Sequence, residues 1–586
     1  MTVMDDFQNE IRQRVSTALK DMGADGVDFV VEASTMEGVD MAVPCFPLAK
    51  AMRKAPAAIA DDLAQRIAPS GMISKVSSIN GFLNFNIDPA TLIKSTLDEV
   101  IRCRSCYGSM PRSGIRVNVE HTSTNPTGPI HVGRARNPII GDTLARCLRR
   151  CGHEVTTEYY VNDVGKQVVV LTWGVNNVSD EEAAKNSEEH MKEIGQNEKE
   201  RDKTDHRLVA KYRVANKRME TEPAIQEEIS EMMRRFEQGD KEVIDTVRHT
   251  AEIMLDGLRE TLGQINVVLD RYTWESQYIV DGSAKAVVDK LKASKYAGQT
   301  DDGAWYVDLK DFGVQGKNTK FTFTRSDGTT LYTTRDLAYH LDKFTRADRL
   351  IDVLGEDQKL GSKQLCSALE IMGNDKFPEP LFYAFVSLPE GKMSTRKGVV
   401  VYLDDLIDEA VARAYEEIKK RRDEMPEEKM REIAKVIGVA AVRFNIVRVQ
   451  PDKQFVFKWE DALNFDGNSG PYLQYVHARA CTMLKKAGEF EHDTDPSKFT
   501  EPSELELIKI ISKYEEVLRM AGNEKRIHMI PAYGHELASA FNHYYAAVSI
   551  LNSGDKRNAR LTLVECARTV LADVLDCLGM GAPEEM

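Results

Sequence analysis

Residues 125–152, NPTGPIHVGRARNPIIGDTLARCLRRCG, combine residue types that could bind a phosphate group. Pro126 and Pro129 stiffen the approach to a predicted helix, and Gly133 omits a side chain where another group would come close. The first turn of a helix presents unpaired N–H groups and a partial positive charge, which favour phosphate oxygens. His131 could donate to those oxygens as charge develops in a transition state. Taken alone, the stretch is equally typical of a turn that leads into a helix with a solvated basic face.

A second cationic stretch, LPEGKMSTRKGVVV, covers residues 388–401. Lys392, Arg396 and Lys397 flank Ser394 between two glycines, and such donors suit the charges of a pyrophosphate. A basic surface loop is the alternative interpretation. The secondary structure predicted around the two stretches helps to distinguish a phosphate site from a basic surface.

The elements around the first stretch predict a parallel sheet of the nucleotide-binding type. A strand at 115–120, IRVNVE, precedes the loop, and the helix after it repeats apolar residues at three- and four-residue intervals until Gly152. The strand EVTTEYYVND follows, and this order of elements is typical of a parallel sheet. Residues 178–260 are charged and helical in pattern, so we expect a helical insertion there.

The chain divides into three predicted domains. Residues 1–110 have the pattern of a small α/β domain, with strands on both sides of an Asn80-Gly81 turn. Residues 111–455 form an α/β body that contains the insertion, and residues 456–586 show only helix-like patterns. A chain of 586 residues is too long for a single core, which agrees with this division.

The overall composition predicts a globular protein outside the membrane. Hydrophobic residues make up 42% of the chain and charged residues 29%, which are ordinary values. The net charge of −14 argues against indiscriminate nucleic-acid binding, but it allows a shaped nucleic acid held by local basic patches. No run reaches the roughly 18 apolar residues of a membrane-spanning helix, and the N-terminus shows no secretory signal. We therefore expect a cytoplasmic protein with no membrane partner.

The nine cysteines are scattered and lie mostly inside apolar patterns. Cys103 and Cys106 form the only CxxC pair, whereas Cys147 and Cys151 lie one turn apart on a predicted amphipathic helix. The second spacing is wrong for a four-cysteine zinc site. We therefore expect cysteines of the core and no tightly bound metal.

Two short motifs resemble, in order, the signatures of class I aminoacyl-tRNA synthetases: HVGR at 131–134 and KMSTR at 392–396. Longer stretches are similar to the arginyl-tRNA synthetase family, namely VEHTSTNPTGPIHVGRARNPIIGD, YYVNDVGKQ, DRYTWESQ, LYTTRDLAYH, KMSTRKGVVVYLDDLIDEA and ALNFDGNSGPYLQYVHAR. The resemblance covers almost the whole chain. It implies a Rossmann-like catalytic domain with a helical insertion, a small N-terminal α/β domain and a C-terminal all-helical bundle that binds the anticodon.

The resemblance also implies an arginine site. A guanidinium is best held by planar carboxylates, and the family holds it through positions that match Glu275, Tyr332 and Asp336. Four residues are implied to hold the α-amino and carboxylate ends: Glu120, Ser123, Asn125 and Gln358.

The ATP-binding positions that the resemblance implies are His131, Gly133, Gly355, Lys392 and Met393. Those implied to act in catalysis are His131, Gly133, Arg134, Lys392, Ser394, Arg396 and Lys397.

The chain departs from the family pattern at three positions. Arg134 stands where the first signature commonly has histidine, and Thr395 replaces the usual second lysine of the second signature. Lys392, Arg396 or Lys397 must then supply the missing charge, and the sequence does not rank them. Gly361 stands where the family often has a histidine three residues after the glutamine.

By the same resemblance, the chain joins L-arginine to tRNA(Arg). Mg-ATP is the implied co-substrate, arginyl-adenylate the intermediate, and a monomer the implied state. Asn84 is a candidate contact to the outer corner of the tRNA, and Tyr472 and Tyr475 are candidates for stacking on anticodon bases. Burial of those tyrosines between helices is an equally favoured alternative.

Three rival functions stay open at this point. A different class I synthetase is one, although the acids Glu275 and Asp336 favour a cationic substrate. A tRNA-free nucleotidyltransferase is another, and the large helical C-terminal region argues against it. The third is a non-catalytic tRNA-binding paralogue, which the presence of His131, Gly133 and Lys392 disfavours. Because a charged pocket discriminates well by itself, we expect no editing domain.

Overall fold

The N-terminal region combines four helices with a four-stranded sheet in the computed structural model, which describes residues 3–34, 36, 38–193, 201–316, 319–387, 402–422 and 424–586. The elements are α1 (Val3–Asp21), β1 (Glu32–Ala33), β2 (Met41–Pro44), α2 (Leu48–Met52), α3 (Pro56–Arg66), β3 (Ile73–Ile79), β4 (Phe82–Ile87) and α4 (Pro89–Cys103). The sheet is antiparallel in the order β1–β2–β4–β3. Asn80 and Gly81 join β3 to β4 with φ of 52° and 85°. An Asn-Gly hairpin turn requires such backbone, so the predicted turn is confirmed.

A five-stranded parallel sheet forms the centre of the middle region. The strands of this region are β5 (Arg116–Glu120), β6 (Glu154–Val161), β7 (Arg271–Trp274), β8 (Ala297–Gln299), β9 (Trp305–Asp308), β10 (Lys320–Thr322), β11 (Arg349–Gly355), β12 (Glu379–Tyr383) and β13 (Val386–Ser387). The large sheet has the order β12–β11–β5–β6–β7, and every pairing in it is parallel. Val117, Asn118 and Val119 of β5 are all buried, as expected for a strand covered on both faces. The predicted parallel sheet is confirmed.

Helices cover the strands and form the insertion. They are α5 (Arg136–Arg150), α6 (Lys166–Asn177), α7 (Asp180–Glu193), α8 (Thr204–Thr221), α9 (Pro223–Glu237), α10 (Lys241–Gln264), α11 (Gln277–Val280), α12 (Ser283–Lys292), α13 (Tyr332–Arg346), α14 (Lys359–Ile371), α15 (Leu403–Arg421) and α16 (Glu427–Val447). The predicted apolar face of α5 is buried, including Ile140, Leu144 and Leu148. Helices α7 to α10 occupy the predicted insertion, and with α6 they enclose a separate apolar cluster around Val214, Ile229 and Val247.

The C-terminal region is helical except at its first residues. Its elements are β14 (Phe455–Val456), α17 (Trp459–Ala462), α18 (Gly470–Ala487), α19 (Pro502–Ser512), α20 (Tyr514–Gly522), α21 (Met529–Ala547) and α22 (Arg557–Cys577). β14 pairs in parallel with β13, so the expectation of purely helical structure from residue 456 onward is wrong at Val456. A strand of two residues is too short to show an alternating pattern, and only its distant partner defines it.

All nine cysteines are free thiols, and five of them are buried: Cys45, Cys147, Cys151, Cys566 and Cys577. The expectation of core cysteines is confirmed for these five, but Cys106 is exposed. Within the described ranges, no helix has the length and apolar character needed to cross a membrane.

Candidate active site

His131 precedes a short helical turn, Val132–Arg134, that leads into α5. The backbone N–H of Gly133 donates to His131 Nδ1 at 2.9 Å, so the neutral ring must carry its proton on Nε2. A Cβ on residue 133 would lie 3.0 Å from Nδ1, which explains the need for glycine. Desolvation of the ring, and then the charge of Arg134, lower the pKa of His131. The imidazole is therefore a neutral donor near neutral pH.

Three predicted site residues lie where parallel strands end. Glu120 ends β5, Gly355 ends β11, and Glu275 follows β7 directly. The carboxyl ends of parallel strands meet at one edge of the sheet, where α/β proteins bind their ligands. The loop that carries His131 leaves the same edge after β5. The fold therefore collects residues that are far apart in the chain.

Glu275 is buried, and protein groups already bind both of its carboxylate oxygens. Arg335 Nε donates to Oε1 at 2.5 Å. In the orientation that satisfies its neighbours, the Asn162 amide donates to Oε2 at 2.9 Å. Burial, with smaller contributions from the Asp163 and Asp336 carboxylates, raises the pKa of Glu275 to about 7 despite the charge of Arg335. A predicted ligand of the substrate guanidinium is thus paired with a guanidinium of the protein itself.

One face of α13 connects two other predicted ligands, Glu120 and Asp336. Lys343 Nζ donates to Glu120 Oε2 at 2.7 Å and to Asp352 Oδ1 at 2.8 Å. His340 lies 3.0 Å from Asp352 Oδ2 through Nε2 and 3.1 Å from Asp336 Oδ1 through Nδ1. Burial lowers the pKa of His340, but Asp336 and Asp352 outweigh it and raise the pKa to about 10. His340 is therefore a cation. Negative and positive groups alternate in the order Glu120, Lys343, Asp352, His340 and Asp336.

Tyr160 of β6 is a site residue that the sequence patterns did not single out. Its hydroxyl is buried and has no hydrogen-bond partner among the described residues. Burial, and then the charges of Glu275 and Asp336, raise the pKa of this hydroxyl. The Tyr160 ring stacks on Tyr339 of α13 with 4.2 Å between centroids, and β6 pairs with β7, which leads directly to Glu275. Buried polar groups are normally paired, so this hydroxyl marks a position for a ligand donor. The only signal in the sequence was its place in YYVNDVGKQ, a stretch without a pattern of its own.

The other predicted arginine ligands differ in placement. Ser123 lies beside Glu120, because its Oγ donates to Glu120 Oε1 at 3.2 Å and accepts from Tyr160 N at 3.0 Å. Tyr332 is exposed at the start of α13, with 67% of its surface accessible. Asn125 and Gln358 are also exposed, Asn125 on the loop after β5 and Gln358 at the end of a short 3-10 helix after β11.

Two buried clusters have the composition of metal ligands: Glu120, His340 and Asp352, and Asp205, His206 and Asp404. Lys343 already joins the two carboxylates of the first cluster. Lys203 Nζ lies 3.2 Å from Asp205 and 3.1 Å from Asp404 in the second. Because an ammonium supplies the positive charge in each, both clusters are ion-pair networks.

The second signature lies outside the described residues, and with it Lys392, Met393, Ser394, Arg396 and Lys397. Tyr402, the first described residue after this stretch, forms an antiparallel bridge with His131. The next N–H, that of Leu403, donates to Ile130 O at 2.7 Å. The chain that leaves the second signature therefore meets the first signature directly.

The candidate tRNA contacts differ in exposure. Asn84 is 1% exposed in β4, and Tyr472 is 9% exposed, with its hydroxyl accepting from Asn542 Nδ2 at 3.0 Å. Tyr475 is 39% exposed and borders a groove of about 880 Å³ on the C-terminal region. The tRNA contacts of all three stay predictions, and burial argues against those of Asn84 and Tyr472.

Arg479 lies between two tyrosine rings in this groove. Its guanidinium carbon is 4.7 Å from the ring centroid of Tyr475 and 5.1 Å from that of Tyr545. Its Nη2 also donates to the Tyr475 hydroxyl at 2.7 Å. Exposed aromatic rings beside a cation can stack on unpaired bases.

Three family models match successive parts of the chain. Residues 9–87 match the arginyl tRNA synthetase N terminal domain, residues 98–459 the class I (R) tRNA synthetase catalytic domain, and residues 473–586 the DALR anticodon binding domain. The chain belongs to the arginyl-tRNA synthetase family. The expectation drawn from the two signatures is thereby confirmed.

Individual members of the arginyl-tRNA synthetase family are similar over their full lengths. The arginine–tRNA ligase of Methanocella arvoryzae is 44% identical over 578 residues, which cover 98% of this chain and 99% of that protein. That of Methanococcoides burtonii is 38% identical over 99% of this chain and 100% of its own length. The solved arginyl-tRNA synthetase of Thermus thermophilus superposes with a TM-score of 0.81 at 28% identity, over 99% of this chain and 100% of that one.

Proposed function

We propose that this arginyl-tRNA synthetase attaches L-arginine to tRNA(Arg) through arginyl-adenylate, with Mg-ATP as co-substrate. The observation that carries the proposal is the Tyr160 hydroxyl, which is buried on the strand next to the one that leads to Glu275 and has no partner among the described residues. A guanidinium only donates hydrogen bonds, so an oxygen acceptor beside two carboxylates is a suitable environment for it.

Asp336 is the carboxylate best placed for direct contact with the substrate. Its side chain is 38% exposed, whereas that of Glu275 is 1% exposed and engaged by Arg335. We assign the bidentate contact to Asp336, an acceptor contact to Tyr160 and a more distant charge to Glu275. Tyr332, exposed on the turn before Asp336, would cover the guanidinium. An uncharged analogue would leave these acids unpaired, which explains selection without an editing step.

The α-amino group of arginine is assigned to Glu120 and Ser123, which contact each other at the end of β5. Lys343 donates to Oε2 of Glu120. Among the described residues, Oε1 accepts a hydrogen bond only from the Ser123 hydroxyl. Asn125 and Gln358 would contact the carboxylate end from the two flanking loops. Gly355 would allow the adenosine to approach the backbone.

In the first step, a carboxylate oxygen of arginine attacks the α-phosphorus of ATP. The bond from this phosphorus to the oxygen that bridges to the β-phosphate breaks, and pyrophosphate leaves with the electron pair. His131 donates from Nε2 to phosphate oxygens as their charge grows, and Lys392, Ser394, Arg396 and Lys397 stabilise the leaving pyrophosphate. Arg134 adds an exposed cation beside the neutral His131 ring.

In the second step, a hydroxyl of the terminal tRNA ribose attacks the activated carbonyl carbon. The bond from this carbon to the phosphate oxygen breaks, AMP leaves with the electron pair, and the hydroxyl proton passes to solvent. The groove at Tyr475, Arg479 and Tyr545 is assigned to anticodon bases, and the N-terminal region around Asn84 to the outer corner of the tRNA. In this proposal residues 1–110 contact the outer corner of the tRNA, residues 111–455 catalyse the reaction, and residues 456–586 bind the anticodon. We also propose that the protein is a monomer and lies in the cytoplasm. Light scattering on the purified chain tests the monomeric state.

Amino-acid-dependent ATP–pyrophosphate exchange tests the proposal, performed with each of the twenty amino acids in the presence and absence of tRNA(Arg). We expect exchange with arginine alone, and only when tRNA is present. Exchange with lysine or glutamate would contradict the substrate assignment. Absence of exchange in every mixture would favour the non-catalytic tRNA-binding alternative.

A further inference from the structure

The role of the helical insertion at 178–260 is not evident from the sequence. In the structure its helix α8 contacts the loop before the first signature and the chain at 402–404. On the side of the first signature, a Cβ on Gly128 would lie 2.8 Å from Val209 Cγ2 of α8, so the approach loop and the helix touch without space between them. Larger residues at position 128 would push the loop away from α8.

On the other side, α8 contacts the chain that follows the second signature. The ring of His206 packs edge-to-face on Tyr402, with 4.9 Å between centroids and an interplanar angle of 79°. His206 Nε2 also lies 3.3 Å from Asp404 Oδ2. Tyr402 in turn bridges to His131 through the backbone. The first turn of α8 is therefore connected to His131 through one residue, Tyr402.

Asp404 is the centre of a fully buried polar cluster. Its side chain has 0% exposure, and Lys203 just before α8 donates to its Oδ1 at 3.1 Å. Thr261 of α10 donates to the same oxygen at 3.0 Å and accepts from Lys203. Burial alone would raise the pKa of Asp404, but the hydrogen bond from His206 and the charge of Lys203 lower it to about 2. The carboxylate is therefore ionised at neutral pH.

We propose that the insertion fixes the backbone at 402–404 against the first signature, and that Lys203 and His206 are positioning residues for ATP through their contacts with Asp404 and Tyr402. The inference rests on the proposed aminoacylation function. A buried carboxylate held by three donors has one geometry, so the backbone at 402–404 is fixed against His131 by groups that do not touch the substrate. Arginine, whose assigned ligands lie on or just after the strands β5, β6, β7 and β11 and on α13, is bound by residues outside this cluster.

The test compares Lys203→Met with Lys211→Met in the full-length chain. Lys211 lies further along, on α8 itself, but it pairs with Asp180, whose side chain is 94% exposed. In arginine-dependent exchange with tRNA(Arg), we expect Lys203→Met to raise KM for ATP about tenfold, because small misplacements of reacting groups have effects of this size. KM for arginine should stay within about twofold of wild type, and Lys211→Met should change neither constant.

Thr261→Val provides a milder variant should Lys203→Met fail to fold. It keeps the shape of the side chain and removes one donor to Asp404, and about a threefold rise in KM for ATP is expected. Equal changes in KM for ATP and arginine, or unchanged constants in a folded variant, would overturn the inference. ATP binding by calorimetry, without arginine or tRNA, separates this outcome from failure of the proposed function. A wild type that binds ATP but activates no amino acid refutes the function alone.

Discussion

Arg335 holds Glu275 through a hydrogen bond of 2.5 Å from Nε to Oε1, in a part of the site where both side chains are almost fully buried. Arg335 Nη1 also donates to Thr330 O at 2.7 Å, which fixes the guanidinium at the start of α13. The carboxylate therefore positions the helix turn that carries Asp336, in addition to contributing charge. Changes at Glu275 are expected to affect both the geometry and the charge of the arginine site.

The first prediction concerns pH. The pKa of Glu275 lies at about 7 in the folded chain, above its ordinary value of 4.5, so its carboxylate forms as pH rises through 7. We expect KM for arginine to fall by roughly tenfold between about pH 6 and pH 8, since the charged fraction rises by that factor. Glu275→Gln should remove this dependence. A variant that keeps the wild-type slope would assign the titration to another group.

The same group affects stability with a defined sign. Between pH 4.5 and about 7 the folded chain binds the Glu275 proton more tightly than the unfolded chain does. Its contribution to the free energy of unfolding therefore decreases as pH rises through this window and stays low above it. Urea denaturation of wild type and Glu275→Gln across the window measures the difference.

The second prediction concerns Tyr160. Because its buried hydroxyl has no partner among the described residues, Tyr160→Phe should leave the free protein as stable as wild type or slightly more stable. The same change should raise KM for arginine about tenfold, because one acceptor of the guanidinium is lost. KM for ATP should not change.

Tyr159→Phe is the matched control for this change. The Tyr159 hydroxyl donates to Thr124 O at 2.6 Å, and its side chain leaves β6 on the face opposite to that of Tyr160. Its loss should cost about 1 kcal/mol of unfolding free energy and leave KM for arginine unchanged. If both variants behaved alike, Tyr160 would have no role in recognition.

The third prediction concerns Lys343, which is fully buried between Glu120 and Asp352. Lys343→Met leaves two buried carboxylates without their shared cation, and breaking such a pair costs about 3–5 kcal/mol of unfolding free energy. The α-amino contact at Glu120 should suffer as well, so KM for arginine should rise. Lys420→Met, at an exposed pair with Glu417, should change stability by about 0.5 kcal/mol or less. Comparable losses in the two variants would show that the network contributes no more than a surface pair.

The fourth prediction concerns Gly579, just after α22. It has φ of +64°, and a Cβ there would overlap the guanidinium of Arg443. Arg443 is buried and donates to Leu578 O, Ile265 O and Asp142. Gly579→Ala should therefore destabilise the chain by about 3 kcal/mol, from backbone strain and overpacking together.

Gly554→Ala separates these two causes. Gly554 has φ of +61°, and an added Cβ would meet nothing within 4 Å, so only the backbone contribution of about 1 kcal/mol should be observed. Thermal unfolding of both variants gives the comparison. Equal losses would mean that Arg443 moves aside at no cost.

The fifth prediction concerns the groove on the C-terminal region. Tyr475→Ala removes an exposed ring that lies on Arg479, and it should weaken tRNA(Arg) binding about tenfold, as expected for one stacking contact. Tyr472→Phe removes a hydroxyl that is bonded to Asn542 inside the protein, so it should lower stability and leave tRNA affinity unchanged. Filter binding and thermal unfolding measure the two effects. The opposite pattern would exchange the roles of the two tyrosines.

Patterns along the chain were sufficient for the family, the parallel sheet and the order of its elements. The apolar repeat of α5, the alternation around Asn80-Gly81 and the two signature motifs are all local, so each can be recognised without knowing what it contacts. The same reasoning did not find Val456 in a strand or Tyr160 in the pocket, because both depend on partners from other elements.

The tertiary structure alone decided how the site residues are paired. Glu275 and Arg335 are separated by 60 residues, and Glu120 and Lys343 by 223, so no spacing in the sequence indicates that they touch. Burial then decides which of these groups are charged, since desolvation raises the pKa of Glu275 while two neighbouring acids keep His340 protonated. The sequence by itself determined which chemistry is present, because residue types and local periodicity are properties of the chain. Only folding decided which charges neutralise one another, because that depends on distance and solvent access in three dimensions.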